Sequence, residues 1–181
     1  MKFTTIILDI IRIFCYIIRS KSREKIVATK LDKIDKKILN ILQENGRITN
    51  SQLATDVGLS PPPMLERVKK LEKNGIITKY VAILDSKKID KSTIVIVSLS
   101  LARHRIKSID QVTHELSKFP EILECYHIAG EEDYLLKVVV KDVHEYEEFI
   151  LKKLAQISAI EKIKSHIVLS SLKSDTKILI E

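Results

Sequence analysis

The sequence lacks tryptophan, and aromatic residues of all kinds make up only 5% of it. Proteins that bind single-stranded nucleic acid stack the bases on aromatic side chains, so this class is not expected. Glycine and proline occur four times each, which excludes collagen-like and proline-rich architectures. The two cysteines, Cys15 and Cys125, are too few for a disulfide framework and indicate a reducing compartment, the cytoplasm.

The chain of 181 residues is long enough for one or two small domains, and 45% hydrophobic with 30% charged residues is typical of a globular protein. Its net charge of +7 is unevenly distributed, with +5 in residues 1–30, +3 in 31–80 and −1 in 81–181. This excess in the first 80 residues indicates a first half that binds a polyanion and a near-neutral second domain. A solvated lysine-rich surface is the alternative.

The first 30 residues form an extension to the domains predicted below. Residues 3–18 are mostly apolar, but Asp9 and Arg12 interrupt them. A membrane-spanning helix needs about 20 apolar residues, and a charge near its centre costs about 3 kcal/mol, so membrane contact is not expected here. Three interpretations stay open: a disordered arm or non-native start, a helix docked on the protein, and a membrane anchor.

Residues 31–75 have the pattern of three helices. The first begins after Asp32, a helix-capping residue, and is predicted to end at Gly46 in a left-handed conformation. Its apolar stripe consists of Leu31, Ile34, Ile38, Ile41 and Leu42. A second helix covers 51–57, a tight turn follows at Gly58, and the third helix ends at Asn74 and Gly75. Two short helices joined by a turn that contains glycine are typical of helix-turn-helix DNA-binding domains.

The third helix is predicted to bind double-stranded DNA with its outer face. Its inward side carries Met64, Leu65, Val68 and Leu71. The residues expected to contact DNA are Ser60, Pro63, Glu66, Arg67, Lys69, Lys70 and Lys73. Arginine and lysine hold phosphates or bind guanine edges, and glutamate accepts from cytosine, although an ion pair between Glu66 and Lys70 is favoured here. A packed three-helix bundle with a solvated basic face is the alternative.

The pattern changes after Gly75. A β-rich run over 76–84, with little helix character, indicates a strand in a linker that extends to 91. Residues 92–181 follow the order βαββαβ of a ferredoxin-like domain, with strands at 92–101, 122–128, 134–140 and 160–172 and a tail strand at 177–180. Its helices are predicted at 108–119 and after Asp142. One face of such a sheet stays open, and an apolar open face is expected to meet a partner.

Three segments resemble one known family: LDKIDKKILNILQENGRITNSQLATDVGLS at 31–60, LERVKKLEKNGII at 65–77 and GEEDYLLK at 130–137. From Leu31 onward the chain is similar to the leucine-responsive regulatory protein/AsnC family of prokaryotic transcription regulators. The resemblance implies an α+β protein with a winged helix-turn-helix, a hinge strand near 80–84 and an effector domain that forms homodimers and often higher oligomers. It also implies an amino acid bound between dimers. The effector residues carried over are Gly130, Asp133, Tyr134, Ile163 and Ser165.

One departure from the family pattern lies at the start of the recognition helix. The family usually has a small polar residue between two prolines, whereas this chain has Pro62. Since proline has no N–H, Ser60 lacks a donor for its capping bond. Either the helix begins later, or phosphate contacts move to Ser60 and the basic side chains that follow.

A second departure lies in the last strand, where Ile163 and Ser165 stand in place of two threonines that amino-acid binders of the family often have. The effector is therefore expected to be an apolar or a basic amino acid, bound weakly, or to be absent. Asp133 is expected either to pair with the ammonium group of the effector or only to cap backbone amides.

No catalytic pattern is present in the sequence, and no enzyme activity, cofactor or metal is expected. The five histidines lack zinc-ligand spacing, and for Cys125 and His127 on one strand face a packed sheet is favoured over a metal site. One enzyme alternative follows from analogy, because sirohaem decarboxylases, which act on a tetrapyrrole, resemble this two-domain plan. Their helix-turn-helix is not needed for DNA, whereas this chain keeps a basic third helix. A further alternative is a membrane-attached regulator, and this interpretation depends wholly on the apolar residues 3–18.

Overall fold

The computed structural model describes residues 30–102 and 109–180. The expectations for the N-terminal extension therefore lie almost wholly outside the described residues. The described chain divides into two compact units. One consists of residues 30–83 together with 172–180, and the other consists of residues 84–102 and 109–171.

The first unit contains three helices, α1 (Lys33–Glu44), α2 (Asn50–Val57) and α3 (Pro61–Lys73). A capping box begins α1, because Asp32 accepts from the N–H of Asp35 at 2.7 Å and Asp35 accepts from the N–H of Asp32 at 3.3 Å. Gly58 ends α2 with φ of 88°, a left-handed conformation that suits glycine. The three predicted helices and the turn between α2 and α3 are present.

The end of α1 differs from the prediction. Asn45, with φ of −139°, is the C-cap residue, and Gly46 is not left-handed. The side chain of Asn45 accepts from the N–H of Arg47 at 3.1 Å. An asparagine that bonds to the backbone two residues later turns the chain without a left-handed residue.

The core of the first unit lies where the three helices meet. Its buried residues are Ile38, Leu39, Leu53, Ala54, Met64, Val68 and Leu71. Leu65 was expected to point inward with Met64, but it is 37% exposed. Consecutive residues of a helix point about 100° apart, so Leu65 lies beside the buried stripe rather than in it.

The second unit is the predicted ferredoxin-like domain. Its elements are β1 (Thr93–Leu101), α4 (Ile109–Leu116), β2 (Ile122–His127), β3 (Tyr134–Val140), α5 (Val143–Lys152) and β4 (Ile160–Ile167). The four strands form one antiparallel sheet in the order β2-β3-β1-β4. This order puts the amino-terminal strand β1 between β3 and β4, as the split βαβ arrangement requires.

Strand alternation gives the sheet two different faces. On one face Val95, Val97 and Leu99 are fully buried in a core that also contains Val112 of α4 and Phe149 of α5. The neighbouring positions of β1 and β3 point to the other face. Ile94, Ile96, Leu135 and Val139 are half-buried there. We call these four residues the open-face patch.

The predicted hinge strand is not formed in the single chain. Residues 78–85 contain no helix or strand, and a short 3-10 turn, Ser86–Ile89, follows them. A strand needs a neighbour to satisfy its N–H and C=O groups, and no described segment pairs with this one.

The C-terminal tail, residues 172–180, also departs from the prediction. It forms no strand, and it groups with the helices of the first unit. The physical reason is that Ile180 packs against the core of the three helices.

Candidate functional site

The start of α3 has no side-chain cap. Ser60 has the extended conformation of an N-cap residue, but its hydroxyl makes no capping hydrogen bond. The next residues, Pro61, Pro62 and Pro63, are exposed and have no N–H to donate. The N–H of Met64 donates to the Ser60 carbonyl at 3.3 Å, so α3 begins at Pro61 and not later. The first three positions of α3 therefore offer no backbone N–H group to an anion.

Arg67 is bonded inside the unit. Its Nη1 atom lies 2.7 Å from Oδ2 of Asp32 and 2.8 Å from Oδ1 of Asp35. The N–H of Asp35 and then the Arg67 guanidinium hold the pKa of Asp32 below its ordinary value, and the two carboxylates raise the pKa of Arg67. Arg67 thus fastens α3 to the start of α1. The helical pattern predicted Arg67 on or beside the groove face, and it did not predict these two ion pairs.

The remaining predicted DNA contacts lie on the exposed face of α3. Glu66 and Lys69 form an ion pair at 3.4 Å, so Glu66 pairs with the residue three positions later and not with Lys70 as expected. Lys70 and Lys73 are exposed and make no ion pair within residues 30–102 and 109–180. Among the described residues, these two lysines are the cations of α3 that form no ion pair.

The loop at 128–133 carries two of the predicted effector residues. Oδ2 of Asp133 accepts from the N–H of Leu101 at 2.6 Å, and the N–H of Asp133 donates to the Leu99 carbonyl at 2.8 Å. The Asp133 side chain therefore caps one backbone amide at the end of β1, in line with one of the two roles expected for it. Gly130 lies in the exposed part of the loop, where an added Cβ would have no atom within 4 Å.

Of the other three predicted effector residues, Tyr134 belongs to the domain core, Ile163 is partly buried against it, and Ser165 is exposed. Tyr134 is 1% exposed, its hydroxyl donates to the Ile109 carbonyl at 3.2 Å, and burial raises its pKa. Ser165 accepts from the hydroxyl of Tyr146. Ile163 packs against the same core, opposite Leu99 in the sheet. The structure thus brings Ile163 and Asp133 next to one residue, Leu99, while Tyr134 and Ser165 are engaged in internal hydrogen bonds.

The pattern missed Glu132, which pairs with Lys164 across the loop and the last strand. Lys164 lies opposite Ser98, on the face away from Ile163 and Ser165, as strand alternation predicted. The Lys164 ammonium lowers the pKa of Glu132. The sequence signal for this pair was the run of three acids at 131–133, but the partner strand lies 32 positions away.

In the described part of the chain, no three His, Cys, Asp or Glu side chains lie close enough to hold a metal ion. Cys125 and His127 do share a strand face, and the His127 ring lies 5.1 Å from the ring of Tyr134. No helix among the described residues is long and apolar enough to cross a membrane.

Two family profiles match this chain, one on each unit. A winged helix-turn-helix DNA-binding profile matches residues 31–78, and the Lrp/AsnC ligand binding domain matches residues 94–178. With the fold and the exposed basic recognition helix, they define a DNA-binding protein with a ligand-binding domain.

Similar proteins identify the family. The leucine-responsive regulatory proteins of Escherichia coli K12 and Klebsiella pneumoniae are each 37% identical over 151 residues, covering 83% of this chain and 92% of theirs. A transcriptional regulator from Neisseria meningitidis, solved as its complex with L-Met, has 35% identity and a TM-score of 0.79, covering 83% and 97%. An AsnC family regulator from Agrobacterium tumefaciens has 37% identity and a TM-score of 0.78, covering 82% and 97%.

The chain belongs to the Lrp/AsnC family of transcription regulators. The predicted resemblance, the fold class and the function as a DNA-binding regulator are confirmed. Its relatives are regulators and not enzymes, so the tetrapyrrole decarboxylase alternative has no support.

Proposed function

We propose that this regulator holds duplex DNA through the exposed face of α3, with Lys70 and Lys73 as its main phosphate contacts. The observation that carries the proposal is that both ammonium groups are exposed on α3 without an ion-pair partner among the described residues. Lys69 contributes less, since it is paired with Glu66. Phosphate contacts by lysine supply affinity for every sequence, and they release counterions on binding.

Fluorescence anisotropy with duplexes selected from random DNA tests these contacts on the full chain. Lys70→Ala and Lys73→Ala are each expected to weaken binding to all sequences and to reduce the salt slope by about one unit. Lys87→Ala, an exposed lysine outside the helix-turn-helix, is the matched control and should bind as the unmodified protein does. Unchanged affinity and slope in both α3 variants would place the DNA contacts elsewhere.

We also propose that the regulator acts in the cytoplasm as a homodimer, and that dimers assemble further. The support is the open-face patch, whose four apolar residues lie on the face of the sheet opposite the helices. A second support is the linker, where Val81, Ile83 and Leu84 are exposed by 65%, 75% and 65%. Apolar surface of this kind marks protein–protein contact.

For the effector we propose an apolar amino acid, bound weakly beside the loop at 128–133. Ile163 offers an apolar side chain where a hydroxyl would favour a polar ligand, and the Neisseria meningitidis relative was solved with L-Met. One carboxylate oxygen of Asp133 is bonded to Leu101, so its second oxygen is the one proposed for the ammonium group of the ligand.

Calorimetry with each of the twenty amino acids tests the effector. Methionine or another apolar amino acid is expected to bind weakly, and Asp133→Ala is expected to abolish the binding heat. Glu131→Ala, an exposed acid of the same loop, is the control and should bind normally. Tight binding of asparagine or aspartate would contradict the apolar pocket, and binding that survives Asp133→Ala would move the site away from this loop.

A further inference from the structure

The C-terminal tail is held on α1 by a side chain that imitates a neighbouring strand. The Nε2 atom of Gln43 donates to the Ile178 carbonyl at 3.0 Å, and the N–H of Ile178 donates to Oε1 of Gln43 at 2.7 Å. One amide group therefore satisfies both backbone groups of one residue. This is the hydrogen-bond pattern by which extended peptides add to a sheet edge.

Two further contacts fix the tail in the same register. Lys177 forms an ion pair with Glu44, the residue after Gln43 on α1. Ile180 packs against the buried core of the three helices, whereas Ile178 and Leu179 are 73% and 79% exposed. A hydrogen-bonded amide, an ion pair and one inserted apolar side chain are the parts of a specific peptide-binding surface.

We propose that the surface of α1 around Gln43 and Glu44 is a docking site for the chain's own C-terminal tail, and that occupancy of this site sets the DNA affinity of the helix-turn-helix. The helical domain it completes is small, and small domains bury a low fraction of their surface and are marginally stable. Covering the core with Ile180 raises the population in which α3 is held correctly. The measured dissociation constant varies inversely with that population.

The position of the tail in the chain connects its docking to the proposed effector site. It continues from β4, the strand that carries Ile163 and Ser165 of the proposed effector site. A ligand that shifts β4 thereby acts on the segment that must reach Gln43. This step rests on the proposed function, while docking itself does not.

Two measurements on the full chain test the proposal. Residue-resolved amide hydrogen exchange should find the Ile178 N–H protected in the unmodified protein, because it is bonded to Gln43. Ile180→Ser and Gln43→Ala should remove this protection and weaken DNA binding by about fivefold, the change expected if the correctly held population falls by that factor. Leu179→Ser is the matched control, since it removes an equally apolar side chain that is 79% exposed, and it should change neither quantity.

Each outcome decides a separate point. If Ile178 exchanges freely in the unmodified protein, or if Leu179→Ser acts like Ile180→Ser, the docking site is wrong. If Ile180→Ser unfolds the helices, Gln43→Ala decides, because it removes two surface hydrogen bonds and leaves the core intact. If the two variants lose the protection of Ile178 but keep the DNA affinity of the unmodified protein, the tail docks but does not set DNA affinity. Failure of the unmodified protein to bind any duplex would overturn the proposed function, while the exchange measurement still decides docking.

Discussion

Arg67 lies on the recognition helix, but its charge is directed at α1. Its guanidinium bonds both carboxylates of the capping box, and its side chain is 33% exposed. Ion pairs near the surface contribute up to about 1 kcal/mol, so we expect Arg67→Ala to lower the free energy of unfolding by about that amount. DNA binding should weaken only as far as α3 is loosened, and sequence preference should not change. Urea denaturation and anisotropy on one preparation measure both effects.

The effect of Arg67→Ala should also depend on pH. The bonds from Asp35 and Arg67 hold the pKa of Asp32 below its ordinary value of 3.8. A carboxylate with a lowered pKa stabilises the fold above its unfolded pKa, and this contribution is lost as the pH falls through the folded value. The two proteins should therefore differ most near neutral pH and converge below pH 3.8. A difference in the free energy of unfolding that persists in acid would contradict a stabilising role for the Arg67 ion pairs. An equal loss of stability in the Lys69→Ala control would contradict it as well.

Helices and paired strands were predictable because their signals are local. The stripe of apolar residues and the capping aspartate placed α1, and the β-rich composition of residues 92–101 placed β1. Distant partners were not predictable. The ion pairs of Arg67 were missed because its carboxylate partners lie 32 and 35 positions away, and Gln43 meets Ile178 across 135 positions.

The linker shows a different limit of prediction from sequence. Its residues have the composition of a strand, but the described chain offers no neighbouring strand for them to pair with. The run at 76–84 has strand composition, yet residues 78–85 form no strand within the described chain. Strand propensity depends on a neighbouring strand and on burial, and neither is provided here. The exposed side chains of Val81 and Ile83 are therefore candidates for burial by another chain.

The whole molecule exposes two apolar surfaces that a single chain does not cover, the open-face patch and the side chains of the linker. We therefore expect the protein to form at least a dimer at micromolar concentration. Light scattering should give no less than twice 20.7 kDa. Ile96→Glu places a charge in the open-face patch. Because burying an unpaired charge is costly, the dimer of this variant should dissociate into monomers at a higher protein concentration than the unmodified dimer does. Leu151→Glu, a 58% exposed apolar residue of α5 on the helical side, is the control and should leave the mass unchanged. DNA half-sites should then be spaced by about 34 Å or a multiple of it. A mass of 20.7 kDa for the unmodified protein, or equal dissociation of both variants, would contradict assembly through the sheet.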